Sequence, residues 1–148
     1  MSQFDHITFV VTDVPFALKF FAILGFEQTH VERISGPQMS SYLRLEHADA
    51  DHYTLSAKEN GDYQEVQFLY FHSPKAEVDK ETEFMGRTGF NHVCFRVADM
   101  DATLDNMRSE GIKVYEQELP AFLDRKLHYV EGPAGVTVEL AQWLVPRP

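Results

Sequence analysis

Two stretches of this chain superimpose without a gap. Residues 5–25 (DHITFVVTDVPFALKFFAILG) and 91–111 (NHVCFRVADMDATLDNMRSEG) align at an offset of 86 positions, placing His6 on His92, Phe9 on Phe95, Val11 on Val97, Asp13 on Asp99, Leu18 on Leu104 and Gly25 on Gly111. One repeat at so long a period means two copies of a single supersecondary unit, since solenoids need three or more short copies. Each copy opens with a histidine at the head of an alternating apolar run. Two imidazoles at matching points of a duplicated unit are the start of a metal site.

Within each copy the periodicity changes once. His6, Thr8 and Val10 alternate with Ile7, Phe9 and Val11, which is strand spacing. Asp13 then offers a helix N-cap with Pro15 in the first turn, and Phe16, Phe20, Ile23 and Leu24 follow at helical spacing up to Gly25. The second copy repeats this with Asp99, Leu104, Met107 and Gly111. Short β-like runs follow each helix: 26–32, 41–45 and 52–57 in the first half, and 113–116, 126–130 and 136–140 in the second. The prediction is an α+β chain of two βαβββ modules, at 1–72 and 90–148, joined by a polar linker at 73–89. The run 65–71 is left over as an additional unpaired strand.

Composition narrows the partners. A chain of 148 residues with a net charge of −10 and no basic cluster is a poor match for nucleic acid or an anionic membrane surface. No apolar run reaches a membrane-spanning length. Cys94 is the single cysteine, so no disulfide forms within the chain, in keeping with a reducing cytoplasm. A soluble cytoplasmic protein acting on a small molecule is the expectation.

Glu139 is the third residue of interest. It lies in VTVELAQ among apolar and small residues, on the face shared by Thr137 and Ala141. Such a carboxylate is either solvated or paired with a positive group. Two histidines and one carboxylate form the facial triad of non-haem iron(II) sites, and the set also suits zinc, nickel, cobalt or manganese.

The stretches DHITFVV, LGFE, YLRLE, FNHVCFRVADMDA and HYVEGPAGVTVEL together resemble the vicinal oxygen chelate superfamily over nearly the whole chain. This group includes glyoxalase I, extradiol dioxygenases, methylmalonyl-CoA epimerase, and fosfomycin- and bleomycin-resistance proteins. The last stretch departs from the family pattern in carrying Gly132 where an aspartate is usual. The resemblance implies that the two modules curl into an open, curved β-sheet cup around one divalent metal held by His6, His92 and Glu139. It also implies a homodimer, for which the unpaired 65–71 run offers a further edge. The fourth metal position stays open between two alternatives. If the last strand of the first module is DHYTLSA, the position holds Thr54, a poor ligand, and the metal keeps open sites. If it is EVQFLYF, the position holds Gln67, as in the epimerase.

Two residues lean toward ring-cleaving oxygenation. His52 resembles the acid–base histidine of some extradiol dioxygenases, and Tyr129, ten residues before Glu139, resembles their substrate-orienting tyrosine. The expected activity is therefore a metal-dependent, extradiol-type dioxygenase using His52, Tyr129 and Glu139. A lyase or isomerase of the glyoxalase or epimerase kind is the alternative, with Gln67 as fourth ligand and Glu139 shuttling a proton. A metal-free small-molecule binding protein is the alternative from another class, and the complete triad argues against it.

Overall fold

The computed structural model describes residues 1–59 and 61–146 of the chain. They divide into two compact units, Met1–Val78 and Asp79–Pro148. Among the described residues, no helix is long and apolar enough to cross a membrane.

The first unit contains β1 (Ile7–Val10), α1 (Val14–Ile23), β2 (Glu27–Ser35), α2 (Pro37–Leu43), β3 (Asp49–Glu59) and β4 (Asp62–Ser73). Its sheet runs β1-β4-β3-β2. The second unit contains β5 (Val93–Arg96), α3 (Met100–Ser109), β6 (Val114–Phe122), β7 (Arg125–Glu131) and β8 (Thr137–Trp143). Its sheet runs β5-β8-β7-β6, the same order. In both units the first strand pairs in parallel with the last, and the last pairs antiparallel with the third. This is the expected pair of βαβββ modules, with one helical turn segment added to the first.

The repeat is visible at the level of single hydrogen bonds. Asp13 caps α1 by accepting the Phe16 amide at 3.0 Å, and Asp99 caps α3 by accepting the Ala102 amide at 3.0 Å. A carboxylate there satisfies an amide that the helix itself cannot. Gly25 and Gly111 end the two helices with φ of 89° and 76°, where a side chain would be strained.

One face of each sheet packs on the helices. In the first unit Phe9, Phe20, Phe21, Phe26 and Phe68 form an aromatic cluster, with Phe21 touching Phe9, Phe26 and Phe68 at ring separations of 5.4–5.7 Å. In the second, Met100, Leu104 and Met107 of α3 are buried with Val130, Val138 and Leu140. Strand alternation therefore sends the odd-numbered residues of β7 and β8, including Tyr129 and Glu139, to the opposite face.

Two expectations fail in the first unit. The segment 41–45 was expected as a strand, but Pro37–Leu43 is a helix. Pro37 sets the first turn at its fixed φ, and Arg44 closes it in the left-handed region. The run 65–71 was expected to be unpaired. It lies inside β4, with β1 on one side and β3 on the other, so it offers no free edge.

Candidate functional site

The fourth strand of the first unit is β4. Thr8 of β1 pairs with Gln67, just as Cys94 of β5 pairs with Glu139. Gln67 is thus the counterpart of Glu139. Thr54 lies on the third strand, opposite Gln67, where Tyr129 lies opposite Glu139. The alternative that placed Thr54 at the ligand position is overturned by this register. Sequence spacing misled because the repeat offset, 86 residues at the histidines, falls to 72 at Gln67 and Glu139. The α2 segment of the first unit takes up most of the difference and the longer β3–β4 hairpin the rest.

In the second unit His92 stands immediately before β5. Its Nε2 lies 3.6 Å from Glu139 Oε1, and the side chains retain only 29% and 15% of their exposure. The tautomer follows from the neighbours. Asn91 donates its Nδ2 to the Met85 carbonyl at 2.7 Å, which turns its Oδ1 toward His92 Nδ1 at 2.6 Å. An amide oxygen accepts only, so His92 Nδ1 carries a proton, and in the neutral ring Nε2 is the free acceptor nitrogen. Nε2 is the nitrogen turned to the Glu139 carboxylate, 3.6 Å away.

Tyr129 and Cys94 complete the surroundings of Glu139. The Tyr129 ring meets the His92 ring edge-on at 5.3 Å. Burial raises the Tyr129 pKa, and the Glu139 charge and a hydrogen bond to that carboxylate raise it further, so its hydroxyl stays a donor. Cys94 keeps part of its surface in solvent. Its thiol is nevertheless pushed up to about 12, first by loss of hydration and then by Glu139. A thiol held protonated is not a nucleophile. Tyr129 also lines a cavity of 180 Å³ with Glu83, Met85, Tyr115, Gln117 and Thr137. An apolar cavity of about 150 Å³ takes one benzene, so this space suits a small molecule.

The first unit gathers the matching set. His6 precedes β1, and its Nδ1 hydrogen bonds to Asp5 Oδ1. Asp5 is the repeat partner of Asn91, so both histidines have Nδ1 occupied by the residue before them. Gln67 donates its Nε2 to Glu65 Oε1 at 2.6 Å, and Tyr63 donates to Glu65 Oε2 at 2.7 Å. This fixes the Gln67 amide with Oε1 facing His52 Nε2 at 2.9 Å and the Thr8 hydroxyl at 3.3 Å. The hydrogen bonds from Tyr63 and Gln67 hold the Glu65 carboxyl below its usual pKa. Sequence reading missed Glu65 and Tyr63. Their alternation with Gln67 on one face of β4 was a readable signal, hidden by treating that strand as surplus.

Within the second unit, His92 and Glu139 fit a divalent metal. Two donors bound at about 2.0–2.2 Å to one ion lie roughly 3–3.5 Å apart, close to the His92–Glu139 separation. A ligating imidazole ordinarily gives its other N–H to a carboxylate or carbonyl, the bond that Asp5 and Asn91 accept here. Among the described residues, no group of three His, Cys, Asp or Glu side chains is gathered around one point.

Comparison with known proteins agrees with this architecture. The family profile described as Glyoxalase/Bleomycin resistance protein/Dioxygenase superfamily matches residues 5–130. Glyoxalase I of Saccharomyces cerevisiae is 33% identical over 52 residues, which is 35% of this chain and 16% of that protein. A solved glyoxalase family protein from Bacillus cereus superimposes with a TM-score of 0.86 at 19% identity, covering 98% of this chain and 96% of that one. A mutant fosfomycin resistance protein from Listeria monocytogenes, solved with manganese(II) and 1S,2S-dihydroxypropylphosphonic acid, gives a TM-score of 0.60 at 14% identity over 99% of this chain and 92% of that one. The chain belongs to the glyoxalase/bleomycin resistance/dioxygenase superfamily, the vicinal oxygen chelate group.

Proposed function

We propose that this protein is a divalent-metal-dependent lyase or isomerase of the glyoxalase kind, acting on a small substrate with two neighbouring oxygens. The observation that supports it is the register: Gln67 stands where Glu139 stands. The proposed ligand set is His6, Gln67, His92 and Glu139. With four protein donors the ion has fewer open positions for oxygen chemistry and suits proton transfer instead. The ion would be nickel, cobalt, zinc or manganese, and bound there it supplies Lewis-acid polarisation of the chelating oxygens.

The protein's own residues set up the rest. His92 and His6 present Nε2, each with Nδ1 held by its neighbour. Glu139, hydrogen-bonded by Tyr129, is the carboxylate placed to accept and return a substrate proton. Gln67 Oε1 carries two donors, from His52 and Thr8, so taking a ligand role requires it to release one of them.

A second reading, an extradiol-type dioxygenase, is favoured by one feature. Tyr129 stands beside both His92 and Glu139, where a substrate-orienting hydroxyl belongs. Here the ion is iron(II), and His52 acts as acid–base group. Elemental analysis of untagged protein separates the readings: nickel, cobalt, zinc or manganese supports the first, iron the second, and no metal a binding protein. Under the first reading, Gln67→Ala weakens metal binding and His52→Ala matters little. Under the second, His52→Ala cuts turnover and leaves metal content intact. If metal content survives both His6→Ala and Glu139→Ala, the site assignment fails. We also infer a homodimer acting on a small molecule, and a clean monomer by light scattering at high concentration overturns it.

A further inference from the structure

The face of the second sheet that carries Tyr129 and Glu139 continues to Arg125 and Trp143, which are partners in the β7–β8 register. Residues 125 and 129, like 139 and 143, are separated by even steps and so share one side. The Arg125 Cζ lies 4.9 Å from the centroid of the Trp143 ring. Its Nε is buried and, among the described residues, has no hydrogen-bond partner. By contrast, Arg33, Arg87 and Arg108 each hold a carboxylate. The ring satisfies the charge over its π face, but the Nε–H lies in the guanidinium plane and still needs an acceptor. A buried N–H without an acceptor is costly, and a planar oxyanion is the acceptor that a guanidinium fork fits.

We propose that Arg125, stacked on Trp143, is an oxyanion anchor for the substrate of the adjoining site, and hence that the substrate is an anion. This rests on the reading that His92 and Glu139 form part of that site. Glu139 and Trp143 are four residues apart on β8, about 13 Å along the strand, and the long arginine side chain shortens that span. The substrate class is therefore a small chelating molecule with a carboxylate or phosphate-type group at its far end.

Trp143 is the only tryptophan, so its fluorescence reports this subsite in the intact protein. Acetate, inorganic phosphate, chloride and the neutral isostere acetamide are titrated at fixed ionic strength. The expected result is a saturable change with acetate or phosphate and none with acetamide or chloride. Whether acetate or phosphate binds tighter identifies the anionic group. Arg125→Met should weaken the response by at least about tenfold, and Arg125→Lys by less. Glu139→Gln should lose metal yet keep the anion response, which separates failure of the anchor from failure of the metal reading. A response that does not saturate, is matched by acetamide, or survives Arg125→Met overturns the proposal. If Arg125→Met does not fold, the acetate–acetamide comparison in the unmodified protein decides.

Discussion

Asn91 is fixed at both ends of its amide, by Met85 and by His92, and so sets the proton position on a proposed ligand. Asn91→Leu removes the acceptor, freeing the ring to rotate and to exchange tautomers. Divalent metal affinity should fall roughly ten- to hundredfold, read by competition with a chromophoric chelator. Asn91→Asp keeps an acceptor in place and should retain most of the affinity; equal loss in both variants would argue against orientation as the cause. A second test at this scale concerns Asp49, whose carboxyl is held below its usual pKa by the Arg33 guanidinium, with hydrogen bonds of 2.8 and 2.6 Å. A depressed carboxylate pKa stabilises the fold fully above the unfolded value near 3.8, and the benefit fades as pH falls through the lower folded value. Thermal melts should show Asp49→Asn less stable than the parent at pH 7, with the gap closing toward pH 2. The repeat made His6 and His92 legible in the sequence, and the apolar setting of Glu139 singled it out. Asn91 and Arg125 were not legible, because their roles depend on which neighbour each side chain meets across a strand or a loop.

Among the elements, the strands and helices that bury apolar faces were readable from periodicity, and their caps recur at the same offset. The α2 segment was not. YLRLE reads as a strand by composition, but Pro37 and the left-handed Arg44 bracket a helical turn there. That one segment shifted the strand count and hid the equivalence of Gln67 and Glu139. The β6–β7 hairpin shows a different conflict. Its two-residue loop, Leu123-Asp124, has φ of 47° and 61°, the left-handed pair of a type I′ turn. Leucine is a poor residue for that conformation, and Asn-Gly is the favoured pair. Leu123→Asn combined with Asp124→Gly should stabilise the protein by about 1 kcal/mol, seen as a shift in urea midpoint with unchanged slope. No gain would mean that the Leu123 side chain, exposed here, makes a compensating contact.

For the molecule as a whole, duplication gives each unit its own core and its own histidine. Phe20, Phe21 and Phe68 anchor the first unit, while Met100, Met107 and Leu140 anchor the second. Each core holds its own histidine at the head of its first strand. The proposed set takes His6 and Gln67 from one unit and His92 and Glu139 from the other, and among the described residues no three His, Cys, Asp or Glu side chains are gathered at one point. If one ion uses both, metal is a ligand of the folded whole, and saturating it a hundredfold above Kd should stabilise the protein by about 2.7 kcal/mol. The decisive version is a double-mutant cycle on that metal-induced shift in melting temperature. His6→Ala and Glu139→Ala should each abolish most of the shift, and the double variant should lose little more. Ligands of a single ion are strongly non-additive, whereas separate sites add. Additive losses would assign the two residues to different sites and dissolve the shared metal centre, while leaving the His92–Glu139 pair to be tested alone.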